Sequence, residues 1–200
     1  MTRASHTAVL TRHPETGGDA VEEIQASVRW NSGEPIAIHY SLRGDLTRLR
    51  IPPLRPARKS NRLWEHTCFE AFFAAKGRAG YYEFNFAPSG EWALYAFRRY
   101  REPAAPPNEK LAPEITLRSS GESLQLDVSI WMDCLRAIRA GARVGVALSA
   151  VIEDNRGGLS YWALKHPPGK PDFHHRDGFT LEIEHSIPPP SPSPRGRGKG

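Results

Sequence analysis

The chain has 200 residues, 39% of them hydrophobic and 24% charged. That is the composition of one soluble globular domain, and it excludes collagen-like, coiled-coil and disordered classes for the bulk of the chain. The formal net charge is +5, but Arg195, Arg197 and Lys199 supply three of the five charges, so the basicity belongs largely to the tail and argues weakly for nucleic acid.

The N-terminal segment contains no apolar core of the secretory type; its longest apolar run is Ala8-Val9-Leu10. No apolar run reaches bilayer-spanning length. Two cysteines, Cys68 and Cys134, are too few for a disulfide framework. These features lead to the expectation of a cytoplasmic protein with reduced thiols and no membrane contact.

Strand signals recur along the chain. Ile24, Ala26, Val28 and Trp30 alternate with Gln25, Ser27 and Arg29, and Ile36, Ile38, Tyr40 and Leu42 alternate with His39, Ser41 and Arg43. A period of two marks strands with one buried face. Residues 63–74 are denser in apolar side chains and predict a deeper strand. Tyr82, Phe84 and Phe86 then alternate with Glu83 and Asn85. The Pro-rich stretch 103–113 is too short to divide two domains and reads as a surface loop. Leu124, Leu126, Val128 and Ile130 alternate with Gln125, Asp127 and Ser129.

Asp133 is placed to cap a helix of about two turns over residues 134–140, with Gly141 suited to its C-terminal end. Dense runs at 143–152 and 178–184 predict two more deep strands. Turn residues stand between these segments, as in Pro88-Ser89-Gly90 and Asn155-Arg156-Gly157-Gly158. The last residues, IPPPSPSPRGRGKG, cannot form a core and predict a disordered tail over 187–200. The pattern predicts an all-β fold over residues 1–186, an antiparallel β-sandwich of jelly-roll type with one short helix.

Three segments are rich in aromatic and polar residues together: LWEHTCFEAFF at 63–73, YYEFNFAPSGEWALYAF at 81–97 and HPPGKPDFHH at 166–175. The first resembles the signature strand of the DOMON-like and family 9 carbohydrate-binding module group, a Trp followed by a short polar stretch and a Glu within an aromatic strand. The second resembles that group's next hairpin, and the third the closing loop of its bacterial DOMON-like subgroup. The resemblance spans most of residues 60–184. It implies a β-sandwich that binds a small ligand, sugar or haem, without chemistry of its own. Where many such modules carry an acidic pair after the Trp, this chain has Glu65-His66.

Trp64, Trp92 and Trp162 each stand beside polar residues or a turn. An indole at a strand end can stack on a pyranose face, or it can be a large core residue. Glu70, Glu83 and Asn85 interrupt aromatic strands. With Tyr95 they can form a carboxylate, amide and aromatic set around a polyol, with Arg62, Arg98 or Arg99 balancing the charge. They can equally be the exposed polar face of a half-buried sheet. His66, Asp172 and His174, with His166 and His175, can fix the Pro-rich loop by hydrogen bonding. As metal ligands their spacing matches no familiar site. Met132 is placed to fill core rather than to hold haem.

No G-x-S-x-G, H-E-x-x-H or phosphate loop is present. The reading is therefore a non-catalytic binding domain for a small polar ligand, carbohydrate or glycan-like, with no cofactor and no nucleic-acid partner beyond non-specific contacts of the tail. Its ligand-binding residues are Arg62, Trp64, His66, Glu70, Glu83, Asn85, Trp92, Trp162, Asp172 and His174. The alternatives are a glycoside-processing enzyme using Glu70 and Glu83, or a haem- or metal-binding domain of the DOMON type.

Overall fold

The computed structural model describes residues 5–31, 33–105, 111–131, 135, 138 and 142–184. The expected tail, Met132, Cys134 and most of the expected helix at 134–140 lie outside the described residues. Of that segment, Leu135 and Ile138 are described, and both are buried in the core. Among the described residues no helix is long and apolar enough to cross a membrane.

The strands are β1 (His6–Val9), β2 (Thr11–Arg12), β3 (Val21–Arg29), β4 (Ile36–Gly44), β5 (Arg58–Lys59), β6 (Cys68–Ala75), β7 (Tyr81–Phe86), β8 (Glu91–Arg99), β9 (Glu102–Ala104), β10 (Glu114–Ser119), β11 (Ser123–Ile130), β12 (Arg143–Glu153), β13 (Leu159–Ala163) and β14 (Leu181–Glu184). They form two sheets. One has the order β1-β3-β4-β11-β10. The other has nine strands, β2-β13-β12-β6-β7-β8-β5, with β14 beside β12 and β9 beside β8. Every pairing described is antiparallel except the short one of β5 with β8. This is an all-β antiparallel sandwich, as the alternation predicts.

The core lies between the sheets. Ile24, Ala26 and Val28 of β3, Ile36, Ile38 and Leu42 of β4, and Leu124, Leu126, Val128 and Ile130 of β11 pack against Phe69 and Phe73 of β6, Phe84 and Phe86 of β7, and Val144, Val146, Leu148 and Ile152 of β12. Burial of this apolar area drives folding. The Tyr40 hydroxyl crosses the interior and donates to the Glu70 carbonyl oxygen at 2.6 Å, which fixes β4 against β6.

Strand β6 differs from the half-buried pattern: all eight of its residues are buried. Its outer face is covered as well as its inner one. The cover is the turn at Leu63–Glu65 on one side and the long connection from β13 to β14, residues 164–180, on the other. The hairpin between β7 and β8 turns at Gly90, whose φ is +85°. A Cβ there would sit 2.6 Å from the Arg55 carbonyl oxygen, so the turn and the close approach both call for glycine.

Candidate functional site

Alternation sorts the residues of the nine-stranded sheet onto two faces. Phe69, Ala71 and Phe73 face the core, so Cys68, Glu70 and Phe72 face outward. On β7 the outward residues are Tyr81, Glu83 and Asn85, and on β8 they are Ala93, Tyr95 and Phe97. The register then builds a strip across the sheet: Ser149 of β12 pairs with Glu70, Glu70 with Asn85, and Asn85 with Ala93. One pleat along, Phe72 pairs with Glu83 and Glu83 with Tyr95. Glu83 is thus the diagonal neighbour of Glu70 across the β6–β7 pair.

Over this strip lies a cleft of about 350 Å³. Its lining includes Glu70, Glu83 and Val151, with Trp64, Tyr95, Phe97, Arg101, Tyr161, Pro171, Phe173 and His174. Trp64 stands at the mouth, 40% exposed, with its ring edge-on to Tyr95 at 5.5 Å. The turn that carries it is entered through Arg62 in the left-handed region, φ 61°. A non-glycine residue rarely adopts that conformation.

The carboxyls are buried. Glu70 is 3% exposed, Glu83 5% and Asn85 0%, which corrects the alternative that these residues form an exposed polar face. The Asn85 side-chain amide donates to Glu83 Oε1 at 2.9 Å. Asn85 Oδ1 and Ser149 Oγ, on either side of Glu70 in the register, are buried without a hydrogen-bond partner. Burial pushes the Glu70 carboxyl well above the usual carboxylate range, and the neighbouring Glu83 charge adds to the shift. Burial also raises Glu83 to about 7, against the opposing pull of the Asn85 hydrogen bond and the Arg101 charge.

The covering loop is held by its own polar set. Asp172 accepts from the Tyr100 hydroxyl at 2.7 Å, from Arg101 Nη2 at 2.8 Å and from the His174 backbone N–H at 3.1 Å. Burial would raise this carboxyl, but the bonds from Tyr100 and Arg101 outweigh it and the net shift is downward. The Arg101 backbone N–H donates to the Tyr81 hydroxyl at 3.1 Å, and that oxygen lies 2.8 Å from His174 Nδ1. On the other side of the ring, His174 Nε2 lies 3.6 Å from Glu83 Oε2. Burial, with the Arg101 charge, holds His174 down at about 4, so it is neutral at physiological pH. At the loop's base His13 Nε2 lies 2.8 Å from the Gly169 carbonyl oxygen and His166 Nε2 2.8 Å from that of Thr11.

The expected residues divide into three groups. Trp64, Glu70, Glu83 and His174 line one cleft, with Asn85 beside them in the sheet and Asp172 clamping the loop above. Arg62 and His66 instead line a neighbouring groove of about 640 Å³, on the other side of the turn at Leu63–Glu65. There Arg62 pairs with Glu65 and His66 Nδ1 with Glu153 at 2.8 Å. Trp92 and Trp162 are each 5% exposed and belong to the inter-sheet core. Parity decides this: each lies one residue from an outward-facing position. The charge partners also differ from expectation, because Arg98 and Arg99 both pair with Glu102, while Arg101 acts on Glu83.

Phe97, Arg101, Val151, Tyr161, Pro171 and Phe173 were not anticipated. The alternation that placed Tyr95 outward would have placed Phe97 there too. Among the described residues no three His, Cys, Asp or Glu side chains come together as a metal site. Cys68 is a free, fully buried thiol, raised well above its ordinary value by burial and then by Glu70.

No protein-family model matches this chain, and no curated protein matches it in sequence. Solved structures do match in fold. A candidate carbohydrate-binding protein from Bacteroides uniformis superposes with a TM-score of 0.61 over 86% of this chain and 83% of its own, at 16% identity. A family 9 carbohydrate-binding module from Caldicellulosiruptor kristjanssonii, solved in complex with glucose, superposes with a TM-score of 0.54 over 86% of this chain and 81% of its own, at 9% identity. The chain has a fold like that of the family 9 carbohydrate-binding modules.

Proposed function

We propose that this protein is a binding domain for a small carbohydrate or glycan-like ligand, related to the DOMON-like and family 9 group, and that the cleft over Glu70 and Glu83 is its site. The observation that carries the reading is the composition of that cleft. Aromatic rings wall a floor of buried carboxyls, and the hydroxyl of Tyr95, in the lining itself, is buried without a hydrogen-bond partner. An unpaired buried acceptor or hydroxyl costs about 1–3 kcal/mol, and a ligand with several hydroxyls would relieve that cost. Apolar rings with a few fixed polar groups are what a pyranose needs from a pocket. The fold shared with a glucose-binding module supports the same reading.

Titration of the labelled chain with neutral mono- and disaccharides, followed by NMR, tests it. The Trp64 indole and His174 ring signals should shift together and saturate. A panel of sugars that moves neither signal would overturn the reading.

The closeness of two buried carboxyls favours one second reading, a glycoside-processing enzyme with Glu70 and Glu83 as the acid and its partner. Glu70 and Glu83 are diagonal neighbours across the β6–β7 pair and line one cleft, and a glycosidase uses two carboxyls flanking one bond. Release of nitrophenol from aryl glycosides, abolished by Glu83→Gln, would establish it. Binding is the stronger reading because the fold resembles that of a module solved with glucose bound.

A further inference from the structure

We infer that the ligand of this cleft carries a protonated amine, so that among carbohydrates the site selects an amino sugar over its neutral counterparts. The inference rests on the reading of the cleft as a carbohydrate site and adds a charge to it.

The molecule supplies its own comparison. Glu153 is also a buried carboxylate, 4% exposed, and it is met by Arg50 Nη1 at 2.6 Å and His66 Nδ1 at 2.8 Å. Asp172 has Arg101, and Glu91 has Arg58. Glu70 and Glu83 are buried to the same depth as Glu153, yet no lysine or arginine bonds to either among the described residues. Arg101 reaches the cleft wall, but its guanidinium is engaged by Asp172 at 2.8 Å. His174 is 3.6 Å from Glu83 and neutral. Two adjacent carboxyls without a bonded cation are costly to ionise in a buried place, which holds them toward their protonated forms.

A ligand ammonium would supply the missing charge. It brings three donors and no acceptor, and the cleft floor offers two carboxyls. The rings around it, Trp64, Tyr95, Phe97, Tyr161 and Phe173, add the attraction of aromatic groups for a cation. An acetylated amine or a hydroxyl at the same place carries no charge to favour the ionised carboxylate.

Binding of a cation favours the ionised carboxylate, so it releases protons and strengthens as pH rises through about 7, where Glu83 titrates. Burial, Asn85 and Arg101 set this titration; the other titratable groups that face it are Glu70 and Cys68 on β6, Tyr81 on β7, Tyr95 on β8, and Asp172 and His174 from the covering loop.

Calorimetry on the full chain with glucosamine, glucose, N-acetylglucosamine and the open-chain amino polyol glucamine decides the matter. Glucosamine should bind about tenfold or more tightly than glucose or N-acetylglucosamine, and the gap should widen from about pH 5.5 to about pH 7.5. Glu83→Gln and Glu70→Gln should each narrow it; the wild-type comparison stands even if a variant fails to fold. Equal affinity for glucose and glucosamine would overturn the amine inference and leave the carbohydrate reading intact. Binding of glucamine but of no pyranose would do the reverse. No binding by any of the four would overturn both.

Discussion

The two faces of the nine-stranded sheet come from the same strands and have opposite chemistry. On β7, Phe84 and Phe86 point into the sandwich while Glu83 and Asn85 point away from it, and all four are buried. The inner face is apolar and closed by another sheet. The outer face carries carboxyls, an amide and rings, and is closed by a turn and a loop held by ion pairs. A period of two therefore separates two environments here without separating buried from exposed. One face supports the fold, and the other has the polar groups with unmet partners.

The sharpest way to break this comparison is through the tryptophans. Trp162 belongs to the inner side, so Trp162→Ala should cost about 3–5 kcal/mol of stability through the cavity it leaves. Thermal unfolding would measure this, and ligand affinity of the folded fraction should change little. Trp64 belongs to the cleft. Trp64→Ala should weaken saccharide binding about ten- to hundredfold, the equivalent of about 1.5–3 kcal/mol, with Tm lowered by only a few degrees. Reversal of these two results would exchange the roles of the faces.

The next effect is electrostatic. Glu83 is raised to about 7 from 4.5 on folding, so the folded state binds the extra proton between those values. Its contribution to stability is full below about pH 4.5 and is lost as pH rises through about 7. His174 is lowered from 6.5 to about 4, so its contribution is full above about pH 6.5 and is lost as pH falls through about 4. The two oppose each other at mildly acidic pH. Glu83→Gln should therefore gain stability relative to wild type between pH 5 and pH 8, by on the order of 1–3 kcal/mol. Denaturant titrations at both pH values would show it. A flat difference would mean that Glu83 is solvated.

The smallest effect concerns the loop. Arg101→Ala removes the Asp172 ion pair, whose carboxylate is 17% exposed. It should cost about 1 kcal/mol of stability, with faster amide exchange at residues 170–175 than in β6. Unchanged exchange in the loop would show that His13 and His166 hold it without the clamp.

Much of the fold was legible because side-chain alternation is local. Ile24 to Trp30 and Leu124 to Ile130 announce strands without reference to anything else in the chain. Half of the cleft was legible for the same reason: Glu70, Glu83 and Asn85 stand out as polar residues inside aromatic strands. The places of Trp92 and Trp162 were not. Tyr161 and Trp162 are adjacent, so one must face the core and the other the cleft, and nothing in the sequence of β13 says which. The pairing of Val151 with Tyr161 and of Ala150 with Trp162 settles it.

The sequence by itself determined the all-β class, most of the strands and the presence of carboxyls where a strand would normally be apolar. These depend on composition and on a two-residue period. Only the tertiary structure decided that Trp92 and Trp162 join the core face, that Arg101 rather than Arg62, Arg98 or Arg99 acts on Glu83, and that residues 164–180 close over the outer face. The reason is physical: strand register and loop docking are set by contacts between segments far apart in the chain. Glu70 and Ser149 are neighbours in the sheet, yet nothing near either one in sequence records it.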